Sequence, residues 1–176
     1  MKKFPVFILI LILLLIIAVI ITSILTVYLY KEPVKTSSGT KYKQTWDQSS
    51  LGNLQVNENI IGYLLTKFGV NNLHNPPLSK DTPKIEVIID DKTYNAEVIK
   101  GSINVDEGKI NNEDIKISMT RQDVINIINS TSPSDTISNS INEGTIKLEV
   151  VASKTKLFSK GYLSLYEKFT GNKLEQ

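Results

Sequence analysis

The sequence predicts an α+β domain, a five-stranded mainly antiparallel sheet covered by helices, preceded by one transmembrane helix. Three observations carry that prediction. Phe4 to Tyr30 contains no charged residue. From Ile85 onward, apolar residues alternate with polar ones in five short runs of the kind that build half-buried strands. Before, between and after those runs, apolar residues return at the three-to-four spacing of a helix.

At about 1.5 Å per residue the uncharged run is roughly 40 Å of helix, more than the roughly 30 Å hydrocarbon core of a bilayer. Residues 1–3 form a basic tail, Met1-Lys2-Lys3, and residues 4–30 the expected span. A cleaved signal peptide has a shorter apolar region, usually about 7 to 15 residues, and a small-x-small site that is missing here. An uncleaved anchor is therefore expected. Pro5 falls in the first turn, where the amide it lacks would be unpaired anyway. Ala18, Thr22 and Thr26 form a small-residue row along which a second helix can approach. Lysines flank both ends, so their count does not orient the span. A short basic tail, one long apolar run and a domain-sized remainder is the layout of a signal-anchor, which places the domain outside the cytoplasm. Asn129-Ser130-Thr131 has the pattern of a glycosylation acceptor.

Residues 31–52 are rich in Lys, Ser, Thr, Gln and Gly and read as a flexible tether. Lys31, Lys35, Lys41 and Lys43, with Tyr28, Tyr30, Tyr42 and Trp46, suit a headgroup belt. Residues 53–176 make the domain, long enough for one core. Setting Lys2 and Lys3 aside, eighteen Lys and Arg balance eighteen Asp and Glu. Nucleic-acid binding needs a basic surface, so none is expected. The absence of cysteine excludes a lipid-modified cysteine anchor and any disulfide framework.

Within the domain, Ile60, Ile61, Leu64, Leu65 and Phe68 share a helical face, with Asn57 as cap and Gly69 as stop. Asn71 to Pro83, with Pro76-Pro77, reads as a loop. Ile85, Val87 and Ile89, then Tyr94, Ala96 and Val98, then Ile103 and Val105, then Ile115, Ile117 and Met119 read as a four-strand antiparallel meander with turns at Asp90-Asp91-Lys92 and Asp106-Glu107-Gly108. Thr120 with Asp123 forms a capping-box variant before Val124, Ile125, Ile127 and Ile128. Ser132-Pro133 opens a short helix that Gly144 ends. Ile146, Leu148 and Val150 make a fifth strand, and Phe158, Tyr162, Leu165 and Phe169 one C-terminal amphipathic helix.

Catalytic chemistry is sparse. A single histidine, His74, sits in the proline-bounded loop, so Cys-His pairs and multi-histidine metal centres are ruled out. Asp90-Asp91 and Asp106-Glu107 fall at expected turns, and Gly101, Gly108 and Gly144 are too dispersed to cradle phosphate. No enzyme, no metal and no cofactor is expected. What the chain offers is apolar volume. Strands bearing Ile117, Met119, Leu148 and Val150 can face helices bearing Val124, Ile128, Leu157, Phe158 and Leu165, leaving an apolar slot; the alternative is a fully packed core.

The segment Asp114 to Val124, the pair Ile127-Ile128, and Gly144-Thr145-Ile146-Lys147-Leu148 resemble the sterol carrier protein 2 family, in which a strand leads into a helix through a Thr/Ser-x-x-Asp step and a glycine opens the last strand. The resemblance covers roughly residues 84–151. It departs from the family at Glu149 and Val150, where members often carry a second glycine. It implies a sheet covered by helices with an apolar tunnel between them. The expected partner is a membrane lipid or other hydrophobic small molecule, with the bilayer engaged through residues 4–30 and any protein partner unknown. The other open reading is an anchored interaction module with a filled core.

Overall fold

The described part of the chain belongs to one compact unit, Ser38–Gln176. The computed structural model describes residues 41–44, 46, 52 and 54–170. The expected tail and span, residues 1–30, and most of the expected tether lie outside the described residues. Among the described residues no helix is long and apolar enough to cross a membrane.

Helix α1, Glu58–Phe68, starts where the Asn57 side chain accepts from the Ile60 amide and stops at Gly69, whose φ of 85° an L side chain rarely adopts. Its buried face (Ile60, Ile61, Leu64, Leu65, Phe68) is the one the periodicity predicts. A short 3-10 turn, Val70–Asn72, leads into the loop before β1. Strands β1 (Lys84–Ile89), β2 (Lys92–Ile99) and β3 (Ser102–Glu107) form successive hairpins. The β2–β3 turn, Lys100-Gly101, takes positive φ at both residues, the pairing that matches strand twist.

Strand β4, Ile115–Met119, departs from the expected meander. It pairs with β1 in parallel, Ile85 opposite Ile115 and Ile89 opposite Met119, and β5 (Lys147–Val150) pairs antiparallel with it. The sheet order is β3-β2-β1-β4-β5, a mixed sheet with β1 central. Alternation specifies which face of a strand is apolar and not which neighbour it takes, so it could not show this. Asp106 and Glu107, expected in a turn, complete β3, and Gly108 makes the exit at φ 118°.

Helix α2, Arg121–Asn129, carries the anticipated capping box: the Thr120 hydroxyl accepts from the Asp123 amide while Asp123 accepts from the Thr120 amide. Helix α3, Pro133–Glu143, ends at Gly144. The single C-terminal helix expected from sequence is two, α4 (Lys154–Ser159) and α5 (Tyr162–Thr170), broken at Gly161, whose φ is 83°. The break rotates Phe158 off the buried face, and it stands 63% exposed.

One sheet face buries Ile85, Val87, Tyr94, Ala96, Val98, Ile103, Val105, Ile115 and Ile117 in the core with α1 and the other helices. The opposite face is polar, with Lys116 bridging Glu86 and Glu113. Tyr42 and Trp46 also belong to the core, which corrects their assignment to a headgroup belt and a flexible tether. The Tyr42 ring lies on Gly62, where an added Cβ would come within 2.4 Å of it, and the Tyr42 hydroxyl accepts from the Val105 amide on the β3 edge. Trp46 meets Tyr63 edge to face at 5.0 Å. Local lysines suggested a bilayer for these rings; protein surface of matching shape takes them instead.

Candidate functional site

An apolar groove lies where the β4–β5 end of the sheet meets the C-terminal helices. Ile115, Leu148 and Val150 form one wall, and Leu157, Tyr162, Leu165, Tyr166 and Phe169 the other. The register explains the sheet wall: Ile115 opposes Val150 and Ile117 opposes Leu148, so these side chains share the core-facing side. Helix α5 brings Tyr162, Leu165, Tyr166 and Phe169 to it at helical spacing. Counted out to open solvent, the unfilled space is about 280 Å³, yet it has standing room for little more than a water molecule. Pockets that take drug-sized ligands run to about 300–1,000 Å³ of usable volume, so in this conformation the groove is closed.

Four of the nine residues picked from sequence line this groove: Leu148, Val150, Leu157 and Leu165. Ile117, Met119 and Val124 are buried in the core away from its lining, and Ile128 is half-buried against that core. Phe158 points outward. Ile115, Tyr162, Tyr166 and Phe169 line it although they were not picked as ligand contacts. The break at Gly161 turns Phe158 away, whereas Tyr162, Leu165 and Phe169 keep the helical spacing that the sequence shows.

Beside the groove sits a polar cluster that sequence reading missed. Asp114 and Lys160 are fully buried, and the Lys160 ammonium donates to both Asp114 carboxylate oxygens at 3.1 and 2.9 Å and to the Thr82 carbonyl at 2.7 Å. Asp114 also accepts from the Lys84 amide at 2.9 Å and the Tyr162 hydroxyl at 3.1 Å. Lys156 reaches Asp114 at 3.1 Å and Asp81 at 3.3 Å, and Asp81 pairs with Lys160 at 2.9 Å. The cluster thus pins the α4–α5 junction to the starts of β1 and β4. Its signal in the sequence is Lys160, three residues after Leu157 and so on the apolar side of the helical pattern.

Burial pushes the Tyr162 phenol far above its ordinary value, and the neighbouring Asp114 charge pushes the same way. Partial burial works against the Lys156 charge, but Asp114 and then Asp81 hold its ammonium above the usual lysine range. At Asp81 burial raises the carboxyl while hydrogen bonds from Lys160 and Lys156 draw it down, leaving it below the ordinary carboxylate value. Every group in the cluster has a partner, the condition under which buried charge is tolerated. It ties the C-terminal helices to the sheet as a clamp. Among the described residues no group of three or more His, Cys, Asp or Glu is placed to hold a metal ion.

No family model matches the chain, and no curated protein matches it. Among solved structures, the chain is similar to palmitated sterol carrier protein 2 like 2 from Aedes aegypti, with 17% sequence identity, 60% of this chain and 92% of that chain covered, and a TM-score of 0.36. The crystal structure of the Aedes aegypti protein gives 17% identity, 58% and 92% coverage, and a TM-score of 0.34. The inverting sec-alkylsulfatase Pisa1 from Pseudomonas sp. is similar at 14% identity and a TM-score of 0.38, over 71% of this chain and only 17% of the sulfatase.

Proposed function

We propose that the domain binds a lipid or other hydrophobic small molecule in the groove between β4–β5 and α4–α5, and that residues 4–30 hold it at a membrane. Binding and presentation of the ligand, without catalysis, is the activity. The observation that carries this reading is the groove's lining, aliphatic and aromatic side chains drawn from three separated segments of the chain. Apolar transfer at about 25 cal/mol per Å² supplies affinity without any charged contact. Because the groove is closed as it stands, uptake requires α5 to move away from Leu148 and Val150. The clamp at Asp114 and Lys160 holds the α4–α5 junction, so opening pivots there and widens at the Tyr166–Phe169 end. The sequence resemblance over residues 84–151 points the same way.

A second reading is favoured by the closed groove itself: a domain with a filled core that engages a protein partner. Native mass spectrometry of the purified Ser38–Gln176 unit separates the two. Retained lipid mass that is lost on Leu165→Trp supports ligand binding. A wild-type domain that flies without added mass and takes up no fluorescent fatty-acid analogue supports the packed module.

A further inference from the structure

We propose that one end of the sheet, the end carrying the start of β1 and the end of β5, docks on the surface of a lipid bilayer. Strand pairing defines that end. Lys84 opposes Glu97, which opposes Asn104, and Ile85 opposes Ile115, which opposes Val150. Among the described residues the large apolar side chains left exposed are Leu78, Ile99, Val150, Val151 and Phe158. Ile99 closes β2, Val150 closes β5 with Val151 just after it, and Leu78 lies in the loop that feeds β1. Phe158 belongs to α4, whose Lys156 is bonded to Asp81 and Asp114 before β1 and β4. Single exposed apolar residues need no explanation, but all five fall at one end.

Leu78 is the sharpest of them. It is 100% exposed and sits at φ 61°, a backbone conformation seldom taken by a non-glycine residue. Its turn is nevertheless fixed: the Ser79 amide donates to the Pro76 carbonyl at 3.1 Å, Asn75 donates to the Ser79 carbonyl at 3.4 Å, and the Asp81 amide donates to the Ser79 hydroxyl at 3.0 Å. Asp81 is in turn held by Lys156 and Lys160. The loop therefore holds a fully exposed leucine at positive φ within a hydrogen-bonded turn.

Charge follows the same axis. Exposed Lys41, Lys80, Lys100 and Lys154 lie among the apolar residues of this end, and Glu149 is the exposed acid beside them. The opposite end exposes Asp90, Asp91, Asp106 and Glu107 together with Lys92, Lys109 and Lys147, so its charges nearly balance. Apolar side chains with lysines among them suit a bilayer containing anionic headgroups, and the opposite end, which has no exposed large apolar side chain among the described residues, does not. Chain connectivity agrees. Lys41, the first described residue, donates to Asn104 at 3.0 Å at this end, and in sequence residues 31–40 separate it from the uncharged run, which the reading above takes as the anchor. Fully extended, that stretch reaches about 35 Å. Val150 lies both in this end and in the groove, so a docked domain would take up or deliver an apolar ligand next to the hydrocarbon; that consequence alone rests on the ligand reading above.

The absence of native cysteine makes a direct test clean. Nitroxide labels are placed singly at Leu78→Cys, Phe158→Cys and Asp91→Cys in the full-length chain, reconstituted in vesicles of phosphatidylcholine with phosphatidylglycerol. All three positions are exposed, so the changes remove no buried side chain. Power-saturation spectra compare access to oxygen with access to a water-soluble nickel chelate. The expected result is an oxygen preference several-fold greater at 78 and 158 than at 91, reduced at 158 by a second change, Leu78→Asp. Equal nickel access at all three positions would overturn the proposal. So would strong spin–spin broadening of the label at 78 in lipid-free detergent, which would assign the surface to a second copy of the chain. Uptake of a fluorescent fatty-acid analogue, measured on the same samples, reports separately on the ligand reading: its failure with the depth contrast intact would remove that reading and leave the docking surface.

Discussion

Substituting Asp114→Asn tests the clamp that ties the C-terminal helices to the sheet. The change keeps the side-chain volume and removes the charge. It leaves the Lys160 ammonium, fully buried, with Asp81 at 2.9 Å and the Thr82 carbonyl at 2.7 Å, and it turns an acceptor for Lys84, Lys156 and Tyr162 into a partial donor. Removing one partner of a buried ion pair costs about 3–5 kcal/mol. Because Asp81 remains beside Lys160, the loss is expected at the lower bound, about 3 kcal/mol. Asp81→Asn, at a side chain 41% exposed, should cost no more than about 1 kcal/mol. Urea unfolding of the Ser38–Gln176 unit, followed by the fluorescence of buried Trp46, reads both values. Asp114→Asn and Lys160→Met together should cost about 0.5–3 kcal/mol less than their sum, since each removes the same contact. A loss below about 1 kcal/mol for Asp114→Asn, or strict additivity, would show that the cluster does not carry the α4–α5 junction.

Three further outcomes follow from the same contacts. The folded-state pKa values of Tyr162 and Lys156 are raised, so their stabilising contribution is complete below pH 10 and is lost as pH rises beyond it; Tyr162→Phe should flatten the alkaline fall in urea midpoint. Asp81 is depressed, so its smaller contribution holds above about pH 4 and fades on acidification, a loss that Asp81→Asn abolishes. Gly62→Ala drives a methyl into the Tyr42 ring, and despite a helix-propensity gain of about 1 kcal/mol it should release residues near 42 to limited proteolysis. Leu165→Trp enters a groove with hardly a water's room, so it should cost about 1–3 kcal/mol and abolish uptake of a fluorescent fatty-acid analogue; unchanged stability would mean that the groove rests open.

The sequence made local structure legible wherever one short segment decides it. Asn57, Gly69, the Thr120–Asp123 box and Gly144 mark helix ends where the structure has them, because caps depend on residues within one turn. Strand order was out of reach, since β4 reads the same whether it pairs with β3 or with β1. The groove was half visible: Leu148, Val150, Leu157 and Leu165 meet there, but Phe158 was placed on it by extending one helix through Gly161. A glycine after a lysine at the end of a six-residue helical run is a stop signal that the apolar period at Tyr162 and Leu165 overshadowed. Asp114 and Lys160 lie 46 residues apart, and no local pattern announces a pair made by tertiary packing. Tyr42 and Trp46 were misplaced for a similar reason, because Gly62, which makes room for the ring, is remote in sequence.

Ligand binding in the groove is tested most directly by methyl-resolved NMR of the Ser38–Gln176 unit titrated with a long-chain fatty acid. Saturable shifts confined to Ile115, Leu148, Val150, Leu157 and Leu165, with Val124 and Ile137 unmoved, are the expected result. Spectra that stay unchanged up to the solubility limit of the acid, or shifts spread evenly through the core methyls, would contradict it.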